Sequence, residues 1–219
     1  MVNYSSSEEN YLKTIYHLQT EGGKVTTNAL AAALKARPAS ITEMMKKLSG
    51  KKLLDYKPYY GFSLSAEGKK AALVIIRRHR LWEYFLAEKL GFSWDEVHTV
   101  AEELEHVGSK KLVDKLDEYL GFPQFDPHGD PIPDKKGRLA AIDQLPLAQL
   151  PLNSPSKIIQ VTNQSPTMLE ELRQQRIAIG TQILVKRSSP FDGTLHVLIK
   201  NKPAIISLQL AQHLFVKKL

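Results

Sequence analysis

Imidazole and carboxylate side chains with helical spacing are the residues best suited to chemistry in this chain. In the run 98–106, four of them fall on neighbouring rows of one helix face, and a further i,i+4 pair lies upstream: His98, Glu102, Glu105 and His106, preceded by His79 and Glu83. Positions three and four residues apart share one face of a helix. Carboxylates crowded on one face repel one another unless a cation lies between them. The pattern predicts a divalent-metal site on two facing helices; the alternative is a packed helix with a solvated charged face.

Composition restricts which metal such a site could take. The chain has 219 residues and no cysteine, so any metal must be held by nitrogen and oxygen. The N-terminus is polar and acidic, unlike a signal peptide, and no apolar run reaches the roughly 18 residues of a membrane span. We therefore expect a cytoplasmic protein with no membrane partner.

The net charge of +7 is unevenly distributed. Residues 1–72 carry a net charge of +5, residues 73–145 of −4 and residues 146–219 of +6. A basic N-terminal part suggests a polyanionic partner, and an acidic centre suggests cation binding.

The N-terminal part has the outline of a helix-turn-helix. Ser6 and Glu9 have capping-box spacing and predict the start of a first helix. Two short helices, 28–34 and 39–48, follow around a brief turn, and two short strands around residues 57–61 suggest a wing. The second short helix would enter the major groove of double-stranded DNA. Its candidate DNA contacts are Arg37, Pro38, Ala39, Ser40, Thr42, Glu43, Lys46 and Lys47. The alternative is a winged helix used only for protein contacts.

The rest of the chain changes from helical to β-rich. Amphipathic patterns predict helices over 67–89, 94–106 and 109–120, followed by a proline-rich segment. Five β-branched or alternating runs after residue 155 predict a small β-barrel with one helical turn near 168–174. The predicted fold class is mainly α with a β-rich C-terminus. The predicted domains are 1–72 for DNA binding, 73–145 for metal binding and dimerisation, and 146–219 for a linker and the barrel.

Taken together, these parts resemble the metal-dependent repressors named for the diphtheria toxin repressor and the manganese transport regulator. The resemblance covers nearly the whole chain. Its markers are Asn10–Tyr16, Arg78–Leu81, the His98-x3-Glu102-x2-Glu105-His106 run, Leu120–Pro123 and Pro127–Gly129. It implies a winged helix-turn-helix, a helical dimerisation domain and an SH3-like C-terminal domain.

The resemblance also implies two metal sites. One would contain His79, Glu102, Glu105 and His106, with Asn10 from the first helix. Asn10 stands where manganese-sensing relatives usually have aspartate, and Glu102 where iron-sensing relatives have cysteine. Hard oxygen ligands at these positions favour Mn²⁺ or Fe²⁺.

An ancillary site would draw on Glu83, Asp126 and His128, with Asn163 or Ser165 near the expected C-terminal contribution. His79 and His98 could serve either site, and the sequence leaves the partition open. For Asp126 and His128 the alternative is an ordered loop held by hydrogen bonds.

The resulting hypothesis is a homodimeric repressor, without catalytic activity, that binds its operator when loaded with Mn²⁺ or Fe²⁺. Metal would tie the first helix to the dimerisation helices and set the recognition helices about one DNA turn, roughly 34 Å, apart. One alternative is a metalloenzyme, because Glu103 and His106 have the spacing of di-metal helical bundles. Another is a metal-insensitive winged-helix regulator.

Overall fold

The computed structural model describes residues 4–20, 22, 25–57 and 61–219. The helices and strands of the first 120 residues are α1 (Ser6–Thr20), α2 (Thr27–Leu34), α3 (Pro38–Gly50), β1 (Leu54–Lys57), β2 (Gly61–Leu64), α4 (Ala66–Leu90), α5 (Trp94–Leu104) and α6 (Lys110–Tyr119). Those of the C-terminal part are β3 (Leu145–Pro146), a 3-10 turn (Leu147–Gln149), β4 (Ser156–Val161), α7 (Pro166–Gln174), β5 (Gln182–Ser188), β6 (Leu195–Ile199), β7 (Lys202–Ile206), α8 (Leu208–His213) and β8 (Leu214–Lys218). The predicted fold class is confirmed.

The described residues form two compact units. The first contains Met1–His79, Glu102–Lys115 and Pro133–Arg138, and the second contains Arg80–Ala101, Leu116–Ile132 and Leu139–Leu219. Helices α4, α5 and α6 contribute residues to both units.

The capping box of α1 lies one residue earlier than predicted. The Glu8 backbone N–H donates to the Ser5 hydroxyl at 3.3 Å, and the Ser5 backbone N–H donates to the Glu8 carboxylate at 2.9 Å. The predicted pair of Ser6 and Glu9 is wrong, because the Glu9 carboxylate contacts Arg78 and His106 instead.

The helix-turn-helix forms as predicted. The Thr26 hydroxyl accepts the Ala29 N–H at 3.1 Å and caps α2, while Lys35 ends that helix in the left-handed conformation. Pro38 occupies the first turn of α3, where its missing N–H costs nothing. Apolar residues of the three helices share a core: Leu12, Ile15, Leu30, Ile41, Met45 and Leu48. Strands β1 and β2 pair antiparallel as the wing, whose predicted turn at residues 58–60 lies outside the described residues.

Helix α5 ends earlier than predicted. It stops at Leu104, so Glu105 and His106 lie in the turn that follows rather than on the helix. The Val107 N–H returns to the Leu104 carbonyl at 3.1 Å. A turn therefore orients these two side chains, and helical spacing does not predict their directions. None of the helices in the described residues is long and apolar enough to cross a membrane.

The C-terminal part of the second unit is a six-stranded antiparallel sheet with strand order β3-β8-β4-β5-β6-β7. Alternate residues of its strands face one apolar core together with α7 and α8, including Ile158, Val185, Val197 and Val216. Strand β3 and helix α8 were not predicted. The α8 helix has six residues and begins at the Ser207 cap, too short for a periodic signal in the sequence.

Candidate metal centres

Glu105 lies at the centre of a charged cluster in the first unit. Its side chain is fully buried, and both of its oxygens accept hydrogen bonds from the Lys13 ammonium, at 2.7 and 2.9 Å. The His79 Nδ1 lies 2.7 Å from Glu105 Oε2. Lys13 Nζ also lies 3.6 Å from the half-exposed Glu102. We call these residues, with Glu9, Arg78 and His106, the Glu105 cluster.

Glu9 forms the second half of the cluster. Its carboxylate accepts a hydrogen bond from the Arg78 guanidinium at 2.5 Å and lies 2.8 Å from His106 Nδ1. The predicted ligand Asn10 is half-buried, and its backbone carbonyl accepts the Thr14 hydroxyl at 2.8 Å. Helix α1 thus contacts the 102–106 segment through Glu9 and Lys13.

Neighbouring cations offset the burial of Glu105. Burial by itself would raise the pKa of Glu105, but His79 and Lys13 outweigh it and hold that pKa below its usual range. Of the predicted ligands, the structure brings His79, Glu102, Glu105 and His106 into this cluster. Sequence reasoning missed Glu9, Lys13 and Arg78. The only signal was the i,i+4 spacing of Glu9 and Lys13, which is equally typical of an exposed helix face.

A different group of ligands lies in the second unit. Glu83, Asp126 and His128 each offer an atom, and these atoms all lie within 4.8 Å of one another. All three side chains are buried. His98 Nδ1 lies 3.2 Å from Glu83 Oε1. We call Glu83, His98, Asp126 and His128, together with Arg80, the His128 cluster.

The protein selects one tautomer of His128. Its Nε2 lies 3.2 Å from the Trp94 carbonyl, which can only accept, so Nε2 carries the proton and Nδ1 the lone pair. Burial lowers the pKa of this imidazole and so favours the neutral ring. The Nδ1 atom is buried and has no hydrogen-bond partner among the residues that the structure describes. A neutral imidazole with its other nitrogen held by a carbonyl is prepared for metal ligation.

Asp126 has one engaged oxygen and one without a hydrogen bond. Its Oδ1 accepts the backbone N–H groups of His128 and Asp130 at 2.8 and 2.9 Å. Within the described ranges, its buried Oδ2 has no hydrogen-bond partner and lies 3.6 Å from Arg80 Nε. Burial, with the carboxylates of Asp130 and Glu83, raises the pKa of Asp126 well above its usual value. A divalent cation would remove the electrostatic cost of ionising Asp126 beside these carboxylates. The donor set therefore fits a hard metal.

A close backbone contact positions this loop. Gly129 has φ +85°, and a Cβ there would lie 1.9 Å from the Ile159 carbonyl oxygen. The Val161 N–H donates to the His128 carbonyl at 2.9 Å, which attaches the loop to β4. Nearby, the Asn163 amide oxygen accepts the Ser165 N–H at 3.0 Å.

The predicted DNA-contacting residues all lie on the exposed side of α3 or at its start: Arg37, Pro38, Ala39, Ser40, Thr42, Glu43, Lys46 and Lys47. Behind them, the buried Glu8 carboxylate lies 2.6 Å from Lys51 Nζ and 3.3 Å from Lys47 Nζ. Burial would raise the pKa of Glu8, but hydrogen bonds from Lys51, the Ser5 backbone and Lys47 lower it to about 2. Helix α1 is therefore ion-paired to the C-terminal end of α3.

Comparison with known proteins agrees with this arrangement. Three family models match: "Iron dependent repressor, N-terminal DNA binding domain" over residues 3–62, "Iron dependent repressor, metal binding and dimerisation domain" over 65–134, and the FeoA domain over 145–218. The chain is 34% identical over 116 residues to the HTH-type transcriptional regulator MntR of Oceanobacillus iheyensis, covering 53% of this chain and 78% of that protein. The chain belongs to the diphtheria toxin repressor and manganese transport regulator family.

A second sequence relative matches part of the chain, and a solved structure matches nearly all of it. The iron-dependent repressor IdeR of Mycobacterium leprae is 32% identical over 125 residues, and the matched segment spans 57% of this chain and about half, 54%, of that relative. A solved manganese-dependent transcriptional repressor in complex with manganese is 33% identical, with a TM-score of 0.88, covering 97% of this chain and 100% of that one. The SH3-like domain and the regulator class are confirmed, and the metalloenzyme alternative is wrong.

Proposed function

We propose that this protein is a homodimeric transcriptional regulator whose affinity for its operator rises when it binds Mn²⁺ or Fe²⁺, and that it acts in the cytoplasm. Family membership supports the regulator class, and one matched model is a metal-binding and dimerisation domain. We further propose domain boundaries near residues 72 and 145. The manganese-dependent repressor of known structure and the iron-dependent repressor IdeR motivate the choice of metals.

The observation that carries the proposal is the His128 cluster. Three buried ligands converge there, and two of them, Asp126 and His128, have a buried donor atom without a hydrogen-bond partner in the described part of the chain. Leaving such atoms unpaired costs free energy that a metal would recover. Glu83, Asp126 and His128 are the ligands proposed for this centre, with His98 beside Glu83.

The Glu105 cluster is the second proposed centre. Its proposed ligands come from the helices and from the turn after α5: Asn10, His79, Glu102, Glu105 and His106. Lys13 and Glu9 contact three of them, so any metal here must replace ion pairs.

The DNA-facing residues are proposed to act as a recognition surface. Two copies in a dimer would enter successive major grooves, and metal would favour the spacing that permits this. Coupling of this kind is usually worth about 1–3 kcal/mol, and DNA must tighten metal binding by the same factor.

Fluorescence anisotropy on a labelled manganese-transporter promoter fragment tests the function. Chelator-treated protein is titrated alone, with Mn²⁺ and, anaerobically, with Fe²⁺. We expect binding to strengthen with metal by about 5- to 150-fold. Tight binding that is the same with and without metal would contradict the metal-dependent regulator and favour the metal-insensitive one.

Lys46 is expected to contact phosphate rather than bases. Replacing it with alanine should weaken binding to specific and unrelated DNA by similar factors and reduce the slope of log affinity against log salt by about 1. Lys157→Ala is the matched control, because Lys157 is also an exposed lysine and lies on strand β4. A loss confined to the specific fragment would instead place Lys46 at a base edge.

A further inference from the structure

Lys13 supplies a cation to the Glu105 cluster from within the chain. Its ammonium donates to both Glu105 oxygens and lies 3.6 Å from Glu102, so it faces two of the carboxylates proposed as metal ligands. The ammonium takes one lone-pair direction on each Glu105 oxygen and repels a second cation at the same carboxylate. The two cations therefore compete.

We propose that Lys13 is a built-in competitor of the metal at the Glu105 cluster. A divalent ion binds Glu105 only by displacing the ammonium, and it therefore binds there more weakly than at the His128 cluster. This inference rests on the proposed function and deepens it, because it ranks the two centres by affinity.

Burial explains why the displacement is costly. The Glu105 side chain is 0% exposed and that of Lys13 is 11% exposed. Separating a buried, hydrogen-bonded ion pair leaves an ammonium that must find a new partner or water. The affinity of this cluster for metal is lowered by that cost, whichever favourable contacts the metal makes.

The His128 cluster requires no comparable displacement at two of its ligands. Within the described residues, His128 Nδ1 has no hydrogen-bond partner, and the cation recorded beside Asp126 Oδ2 is Arg80, at 3.6 Å. That distance exceeds a hydrogen bond, whereas the Lys13 contacts are 2.7 and 2.9 Å. A metal at Asp126 and His128 can bind without breaking an ion pair of hydrogen-bonding length.

The ion pair between Lys13 and Glu105 also limits how much metal binding at this cluster can alter the contacts of α1. Lys13 and Glu9 connect α1 to Glu105 and His106 through contacts between the chain's own side chains. Filling the Glu105 cluster therefore exchanges one connection for another. The His128 cluster is then the centre that responds first as metal concentration rises.

Calorimetric titration of the chelator-treated full chain with Mn²⁺ tests the ranking. For the wild type we expect two binding steps per protomer, the second at least tenfold weaker than the first. Lys13→Met should tighten the second step at least tenfold and leave the first unchanged. Lys13→Arg keeps the cation and should match the wild type. Lys51→Met is the charge-matched control, because it removes a lysine that pairs with Glu8 outside the cluster.

The outcomes separate the inference from the function on which it rests. If the wild type and Lys13→Met bind a second metal equally tightly, Lys13 is not a competitor, while metal-dependent regulation stands. If neither protein binds any metal, the proposed function and the inference both fail. If Lys51→Met tightens the second step as much as Lys13→Met, the effect is one of net charge and the inference is overturned.

A measurement on the wild type guards against a Lys13→Met variant that does not fold. Acylation of Lys13 by an amine-reactive ester is followed by mass spectrometry during the Mn²⁺ titration. Labelling should rise as the second step fills, because the displaced ammonium becomes accessible. Constant labelling through both steps overturns the inference.

Discussion

Replacing His128 with alanine is expected to abolish stimulation of DNA binding by Mn²⁺. The variant loses the neutral Nδ1 donor that the Trp94 carbonyl holds in place. Loss of an outer-shell partner typically costs a metal site about 10- to 100-fold in affinity, so loss of a ligand should cost more. The 5- to 150-fold gain expected from metal should disappear with it. Calorimetry gives the metal affinity, and anisotropy gives the DNA affinity with and without Mn²⁺.

His196→Ala is the matched control for this variant. His196 lies on β6, outside both clusters, and its side chain is exposed. The His196→Ala variant should bind metal and DNA with wild-type affinity. Without metal, all three proteins should bind DNA equally weakly. Undiminished Mn²⁺ stimulation in His128→Ala would remove this residue from the regulatory centre.

Replacing Glu105 with glutamine is expected to destabilise the metal-free protein by about 3–5 kcal/mol, the cost of removing one partner from a buried ion pair. The neutral amide would leave the Lys13 ammonium and the neighbouring imidazole of His79 without their buried carboxylate. The free energy of unfolding, measured by urea denaturation in the presence of a chelator, gives the effect without any contribution from metal.

Two further variants make the result specific to the ion pair. Glu103→Gln removes a neighbouring exposed carboxylate and should change the free energy of unfolding by no more than about 0.5 kcal/mol. The double variant Lys13→Met with Glu105→Leu has neither charge, so it should regain much of the stability that Glu105→Gln loses. A Glu105→Gln loss below 1 kcal/mol, or a double variant no more stable than the single one, would contradict a buried pair that stabilises through its charges.

The composition of the Glu105 cluster shows how far local spacing can predict a site. The resemblance placed His79, Glu105 and His106 together, and they are together. Lys13 was not predicted, because a lysine at that position in an amphipathic helix has the same local pattern whether it faces solvent or a buried carboxylate. Only the contact with Glu105, 92 positions along the chain, distinguishes the two.

Local sequence patterns were enough to predict the order of the main elements, the helix-turn-helix and the kind of ligands available. Helical periodicity and capping residues act over a few positions, and the lack of cysteine restricts any metal to nitrogen and oxygen donors. The resemblance had grouped Glu83, Asp126 and His128, but only the tertiary structure shows that their ligand atoms lie within 4.8 Å of one another, and it alone assigned the His128 tautomer. The physical reason is that both depend on the folded backbone: a loop packed against β4 through Gly129, and a carbonyl from the start of α5.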